Sequence, residues 1–163
     1  MEKRKFNITK ASFVYTLLCN IPICLCIGLA ANLSANNFSS IDGLSLLINF
    51  AISFPIAFAV GLFVPLLKIG KWFTGLFKVP HDTYTGNIGY RLLATVSSTI
   101  IYFIVLNPFL AVFNGMILGD QSFEACVHSW LINIPLMLAV GFFSTLIFDI
   151  PAYHIAHKID PNF

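Results

Sequence analysis

The sequence predicts an all-α membrane protein with four transmembrane helices, arranged as two parallel helical-hairpin repeats. Of its 163 residues, 58% are hydrophobic and only 10% are charged, and the mean hydropathy is +0.85. Soluble domains carry about a quarter charged residues, and a globule this small cannot bury so much apolar surface. Four long apolar stretches and a repeated segment in the second and fourth of them complete the case for this fold.

Each apolar stretch is long enough to cross a hydrocarbon core of about 30 Å, which takes roughly 20 helical residues. The stretches run from about Ser12 to Ser34, Leu44 to Leu67, Leu92 to Gly115 and Ala125 to Phe148. None of the first three contains a charged residue. Because these runs are continuously apolar and do not alternate with polar residues, they favour helices over the strands of a barrel.

The positive charges predict the orientation of these helices. All nine fall on one side of the predicted spans, as Lys3, Arg4, Lys5, Lys10, Lys68, Lys71, Lys78, Arg91 and Lys158. The two remaining loops carry only acidic charges, at Asp42, Asp120 and Glu124. The positive-inside rule then places both termini in the cytoplasm, in a multi-pass protein of the cell inner (plasma) membrane. A cleaved signal peptide is the alternative for the first span, but its apolar region exceeds the usual length of about 7–15 residues.

A repeat divides the chain into two halves. The segment from Phe54 to Phe63 resembles the one from Ile134 to Phe143, 80 residues later, with proline, alanine, valine, glycine and the last phenylalanine in register. We therefore expect a first hairpin at residues 1–79, a cytoplasmic linker at 80–90 and a second hairpin at 91–163. Each hairpin has two spans, so the copies are predicted to be parallel, about an axis along the membrane normal.

The second-span pattern resembles a small bacterial membrane domain, domain-of-unknown-function family 2798. The resemblance rests on Phe54-Pro55-Ile56-Ala57 and Val64-Pro65-Leu66-Leu67-Lys68, and Asn114-Gly115 is similar to the pair that closes the family's first helix. It implies a tandem of two-helix units in a bacterial membrane, and no activity, because the family has none established. The second copy departs from the pattern, with Thr145 in the place of Pro65 and Asp149 where a basic residue is expected.

Polar side chains within the spans form the predicted binding site, which comprises Asn20, Asn49, Ser53, Asn107 and Asn133. All but Asn49 precede a proline by one or two residues, and each proline frees the carbonyl four residues before it. Ser53 and Asn133 are equivalent in the repeat, so the two-fold axis predicts that they face each other near mid-membrane. The alternative is that these residues only hydrogen-bond between helices or cap freed carbonyls.

His128 and Asp149 are the titratable candidates near membrane depth, where ionisable groups are functional hypotheses by default. Their positions favour an interfacial histidine and a helix-end or snorkelling aspartate before Pro151. Two further pairs of metal-ligating side chains share helical faces, Cys19 with Cys26 and His154 with His157. Neither pair has an evident third ligand, so we predict no metal and no cofactor.

The remaining features bear on function and partners. Ile69 to Lys78 alternates lysines with aromatic residues and predicts an interfacial helix. No nucleophile–base pair, phosphate loop or paired carboxylate argues for an enzyme, and a net charge of +2 is too small to indicate nucleic acid. We therefore expect a small transporter or efflux-type protein with a polar site between the repeats. The alternative is a structural or accessory protein without transport. Under either hypothesis the expected partner is the lipid bilayer, and the sequence is compatible with a homodimer.

Overall fold

The computed structural model describes residues 9–35, 38–64, 66–79, 87–113, 116 and 122–161, and these residues form helices and no strands. The helices are α1 (Lys10–Ala35), α2 (Gly43–Phe63), α3 (Leu66–Leu76), α4 (Ile88–Val112) and α5 (Phe123–Ile159). All except α3 are long and apolar enough to cross a membrane. The predicted all-α fold with four helices of membrane length is confirmed.

Several helix bounds differ from those expected from hydropathy. The second span ends at Phe63 instead of Leu67, and the predicted interfacial helix follows it as the separate α3. The fourth span continues past Phe148 to Ile159, and α4 begins at Ile88, inside the predicted linker. Residues 80–86 of that linker, and the Asn114-Gly115 pair, lie outside the described residues.

One difference between the repeats accounts for the unequal lengths of α2 and α5. Thr145 stands in the second copy where the first has Pro65, and proline has no N–H to donate to the carbonyl four residues earlier. The final helical bond of α2 runs from the Val64 N–H to the Val60 carbonyl at 2.8 Å. Thr145 lies inside α5, whose 37 residues extend for about 55 Å, well beyond one hydrocarbon core.

Side chains satisfy the backbone where helices begin. Asp42 caps α2 by accepting from the Leu44 N–H at 3.1 Å, and Asn87 and Ser122 cap α4 and α5 in the same way. Asn32 near the end of α1 holds both backbone groups of Asp42, donating to its carbonyl at 3.0 Å and accepting from its N–H at 2.9 Å. This amide clamp joins α1 to α2 across their loop.

The four long helices form a ring in the order α1, α2, α4, α5. Helix α1 packs against α2 and α5, and α4 packs extensively against α5 and only slightly against α2. An exact two-fold relation between the repeats would make the α1–α5 and α2–α4 interfaces equal. The α1–α5 interface is far larger, so the packing of the two hairpins is asymmetric.

Helix α3 packs along α4 instead of standing apart from the ring. A Cβ placed on Gly70 would lie 3.3 Å from that of Ala94, and Thr74 is fully buried. Trp72 and Leu76 remain more than half exposed. The helix therefore has one face against α4 and one aromatic face outside, as an interfacial helix requires.

The repeated glycines, Gly61 and Gly141, have different surroundings. A Cβ on Gly61 would lie 2.5 Å from Thr16 Cγ2, 2.8 Å from the Tyr102 hydroxyl oxygen and 3.1 Å from Asn20 Nδ2. A Cβ on Gly141 would meet nothing closer than Thr99 Cγ2, at 3.5 Å. Helices α1, α2 and α4 thus converge closely at Gly61, whereas Gly141 has room for a methyl group.

This contrast predicts opposite effects of the same substitution in the two copies. Gly61→Ala is expected to lower the free energy of unfolding by about 1–3 kcal/mol, because a methyl group overfills a closely packed site. Gly141→Ala is expected to leave it unchanged or raise it by up to about 1 kcal/mol, because alanine is the better helix former. Denaturant unfolding of both variants in the same detergent measures the difference, and equal effects would contradict the packing described here.

Candidate functional site

A cavity lies inside the ring at the level of Ser53, the middle residue of α2. All four long helices line it: Ile23, Cys24 and Ile27 from α1, Ser53 and Ala57 from α2, Thr99, Tyr102, Phe103, Leu106, Asn107 and Leu110 from α4, and Met137, Gly141 and Thr145 from α5. Its volume is about 40 Å³, which is room for about three waters.

The wall of this cavity is mainly apolar. Its lining residues with polar side chains are Ser53, Thr99, Tyr102, Thr145, Cys24 and Asn107. None of the described residues that line it is charged. A mainly apolar wall with a few placed polar groups is typical of small-molecule sites, and the absence of charge from this wall favours an uncharged occupant.

Thr99 is the polar group on this wall whose bonding is incomplete. Its side chain is 8% exposed, and its hydroxyl has no hydrogen-bond partner. Other hydroxyls nearby donate to the carbonyls of their own helices, as Ser97 does to Ala94 at 2.8 Å and Thr145 does to Gly141 at 2.8 Å. An unsatisfied buried hydroxyl costs about 1–3 kcal/mol. The Thr99 hydroxyl is therefore buried and unpaired beside the cavity, and the Thr99 atom nearest to a Cβ placed on Gly141 is the Cγ2 methyl carbon.

Two of the five predicted site residues, Ser53 and Asn107, do line the cavity. Ser53 is 3% exposed, and its hydroxyl makes a long contact of 3.5 Å with the Phe50 carbonyl and also pairs with the Cys24 thiol. Asn107 comes from the outer half of α4, if the helix begins on the cytoplasmic side as predicted. These two side chains belong to different hairpins, so the cavity does lie between the repeats.

Asn20 and Asn49 are buried but do not line the cavity. Asn20 is fully buried and donates through Nδ2 to the Ala57 carbonyl at 3.1 Å, which ties α1 to α2. The side-chain oxygens of both asparagines have no hydrogen-bond partner. The contact of Asn20 is therefore structural, which agrees with the alternative that these polar residues only hydrogen-bond between helices.

Asn133 does not face Ser53, so the expected pairing of these two equivalent residues is wrong. Its Oδ1 accepts from the Ser34 hydroxyl at 2.5 Å, and its Nδ2 donates to the Ser129 carbonyl at 2.9 Å. The physical reason is the large α1–α5 interface, which turns this part of α5 toward α1. Met137, one turn further along α5, lines the cavity in its place.

The titratable candidates lie off the cavity wall. His128 is exposed near the start of α5. Asp149 is 3% exposed and accepts a hydrogen bond from the Tyr15 hydroxyl of α1. The interpretation of Asp149 as a snorkelling or helix-end residue is wrong, because α5 continues through Pro151 to Ile159 and α1 covers the carboxylate.

The predicted metal-ligating pairs are not joined by further ligands. Within the described ranges, no three His, Cys, Asp or Glu side chains come together. All the cysteines are free. His157 stacks on the ring of Tyr153 at 5.8 Å, and His154 meets the same ring edge-on.

The residues that hydropathy and repeat analysis missed are Thr99, Tyr102 and Met137. A signal for the first two was present in the sequence: Thr95, Thr99 and Tyr102 are four and three residues apart, which puts three hydroxyls on one face of α4. Met137 carries no such signal, because the corresponding residue of the first copy is Ala57.

Comparison with family models, with curated proteins and with solved structures gave no match to this chain.

The unpaired hydroxyl makes a prediction about stability. Thr99→Val keeps the side-chain volume and removes the unsatisfied group, so we expect it to raise the free energy of unfolding by about 1–2 kcal/mol. Thr145→Val is the matched control on the same wall, and it should give no gain, because its hydroxyl is already bonded. Both are measured by unfolding of the purified protein in detergent. A loss of stability for Thr99→Val would show that the hydroxyl is paired in the protein alone.

Proposed function

We propose that this protein is a small membrane transporter or efflux-type protein that binds its solute in the cavity between the two hairpins. The cavity at the centre of the ring, which residues of both hairpins line, carries the proposal. A bundle that serves only as a scaffold is stabilised in lipid by close packing and by paired polar groups. Open space between the two hairpins favours a binding role.

The proposal includes location and orientation, with the protein in the inner membrane of a bacterium and both termini in the cytoplasm. Among the described residues, Lys10 begins α1, Lys68 and Lys71 lie on α3, Arg91 is in the first turn of α4 and Lys158 is in the last turn of α5. Those helix ends share one side if α1 and α4 run in one direction and α2 and α5 in the other. A bacterial source, like the tandem of family 2798 units, rests on the sequence resemblance alone.

The unequal interfaces favour a particular movement for transport. Helix α2 contacts α4 only slightly, whereas α1 and α5 pack over a large area. Separating α2 from α4 therefore disrupts fewer contacts than separating α1 from α5. Rocking of the first hairpin's α2 against the second hairpin would open the cavity, in the manner of repeats that move against each other in transporters.

A structural or accessory role without transport is the second candidate, and specific contacts favour it. Asn20 and Asn133 both make hydrogen bonds between helices, to Ala57 and Ser34. Under this alternative, the remaining space is a packing defect and stays dry. The proposal assigns no enzymatic activity to the chain and needs only one copy of it, so a homodimer stays a prediction from the sequence.

Two native cysteines on α1 distinguish these candidates. Cys24 lines the cavity and is 3% exposed, whereas Cys19 is 7% exposed and packs with Ile23 and Ala152 on the side of α5. The test uses two variants, each of which keeps one of these cysteines and has alanine at the other three cysteine positions. We expect methyl methanethiosulfonate to modify Cys24 at least about tenfold faster than Cys19, because thiolate chemistry needs water at the sulfur.

The rates are followed by mass spectrometry of the protein in lipid nanodiscs. The Cys19 variant reports how often buried parts of α1 become exposed by local opening, since both residues lie on one helix. Equal and slow modification of Cys24 and Cys19 would mean a dry interior, and the transport proposal would then fail in favour of the structural role.

A further inference from the structure

We propose that α3 and the residues that close it bind the headgroup of an anionic phospholipid, on the side of the membrane proposed to be cytoplasmic. Lys68, Lys71 and Lys78 contact the phosphate, and the apolar side chains beside them contact the acyl chains. This inference goes beyond the proposed function, because it concerns the outer surface of the bundle and applies equally to a transporter and to a scaffold.

The contacts of α3 with α4 place it at the depth of lipid headgroups. The two helices run antiparallel there: a Cβ on Gly70 would lie 3.3 Å from that of Ala94, and a Cβ on Gly89 would lie 4.0 Å from the Val79 side chain. Helix α4 has 25 residues and is about 37 Å long, whereas the hydrocarbon core is about 30 Å thick. The first turns of α4, and α3 beside them, therefore extend into the headgroup region.

The side of α3 that is turned away from α4 has a basic stripe beside an apolar one. Lys68 and Lys71 are exposed and three residues apart, so they share a helical face. Gly75 is one turn beyond Lys71, and a Cβ there would meet nothing within 4 Å. Trp72 and Leu76 form the adjacent apolar stripe and are 64% and 60% exposed. A lipid phosphate thus has open access to both lysines while its acyl chains follow the apolar stripe.

The backbone of Lys78 gives an independent indication that a basic side chain matters at the end of α3. Its φ is 55°, in the left-handed region that glycine commonly adopts at helix C-termini. The Lys78 N–H donates to the Gly75 carbonyl at 3.1 Å and the Val79 N–H donates to the Thr74 carbonyl at 3.4 Å, which closes the helix. A lysine is less stable than a glycine in this conformation, so the charge of its exposed side chain accounts for its presence.

An anionic lipid is the occupant that this charge pattern fits. The three lysines are the only charged residues between Leu66 and Val79, so no carboxylate of the segment neutralises them. An ammonium group beside the hydrocarbon core needs an opposite charge or water, and lipid phosphates lie at that depth. The apolar stripe next to the lysines favours a lipid over a soluble acidic partner, which has no acyl chains to cover Trp72 and Leu76.

Quenching of Trp72 fluorescence by brominated lipids tests this proposal. The other tryptophan, Trp130, is replaced by phenylalanine, which removes no hydrogen bond because the Trp130 Nε1 has no partner. The protein is placed in vesicles of phosphatidylglycerol and phosphatidylcholine in which one or the other lipid carries the bromine. We expect phosphatidylglycerol to bind beside Trp72 at least about fivefold more strongly than phosphatidylcholine. High salt should lower this preference, because it screens the charges.

Paired variants test whether the lysines of α3 cause the preference. Lys68→Gln combined with Lys71→Gln should remove most of it. Lys10→Gln combined with Lys158→Gln is the matched control, because it removes two exposed charges from other helices on the same side of the protein, and it should keep the preference. Lys78→Gly should weaken the preference and yet raise the denaturant midpoint of unfolding, since glycine fits the left-handed conformation.

Each contrary result overturns a stated part of the proposal. Equal quenching by the two brominated lipids would exclude selection of an anionic headgroup. A preference that survives the loss of Lys68 and Lys71, or that the control variant also loses, would exclude α3 as its cause. No quenching by either lipid would mean that water, a soluble partner or a second copy covers Trp72. The cavity is tested separately, by the modification rates of Cys24 and Cys19.

Discussion

Within a bilayer, every helical carbonyl needs a donor from the protein itself, and Pro65 cannot supply one to Gly61. The Gly61 carbonyl instead faces the Thr16 hydroxyl of α1 at 3.5 Å. Because Gly61 also lacks a side chain, Thr16, Asn20 and Tyr102 approach it from two helices. In the second hairpin, Thr145 keeps the missing donor, so α5 continues as one helix and nothing packs closely on Gly141. The repeated glycine is therefore closely packed in the first hairpin, at Gly61, and borders open space in the second, at Gly141.

That open space coincides with the only polar group of the cavity wall that the structure describes as buried and unpaired. Other polar groups of the bundle are paired: Asn32 clamps Asp42, Asn133 bonds Ser34, and Asp149 bonds Tyr15. Four more buried polar atoms of the described residues have no partner, namely Asn20 Oδ1, Asn49 Oδ1, Arg91 Nε and Trp130 Nε1. The feature that distinguishes the middle of the bundle is therefore the space that both hairpins line.

The sequence predicted the fold well because hydropathy alone determines which segments can cross a bilayer. It predicted Ser53 and Asn107 as cavity residues, because a polar side chain in a span tends to face the bundle interior. It failed for Asn133, since the repeat implied equal interfaces and the α1–α5 interface is in fact the larger. Asp149 was misjudged because its cover by Tyr15 depends on a contact between the first and last helices. Thr99 was missed because a hydroxyl in a transmembrane helix ordinarily bonds its own backbone, so its spacing from Thr95 and Tyr102 is only a weak signal.

The central claim is that the middle of this bundle holds a solute in a cavity that both hairpins line. A structure of the protein in lipid nanodiscs tests it most directly. The account predicts an open space between α1, α2, α4 and α5, with density for ordered water or a solute beside Ser53 and Asn107. A bundle whose side chains close this space would contradict the account.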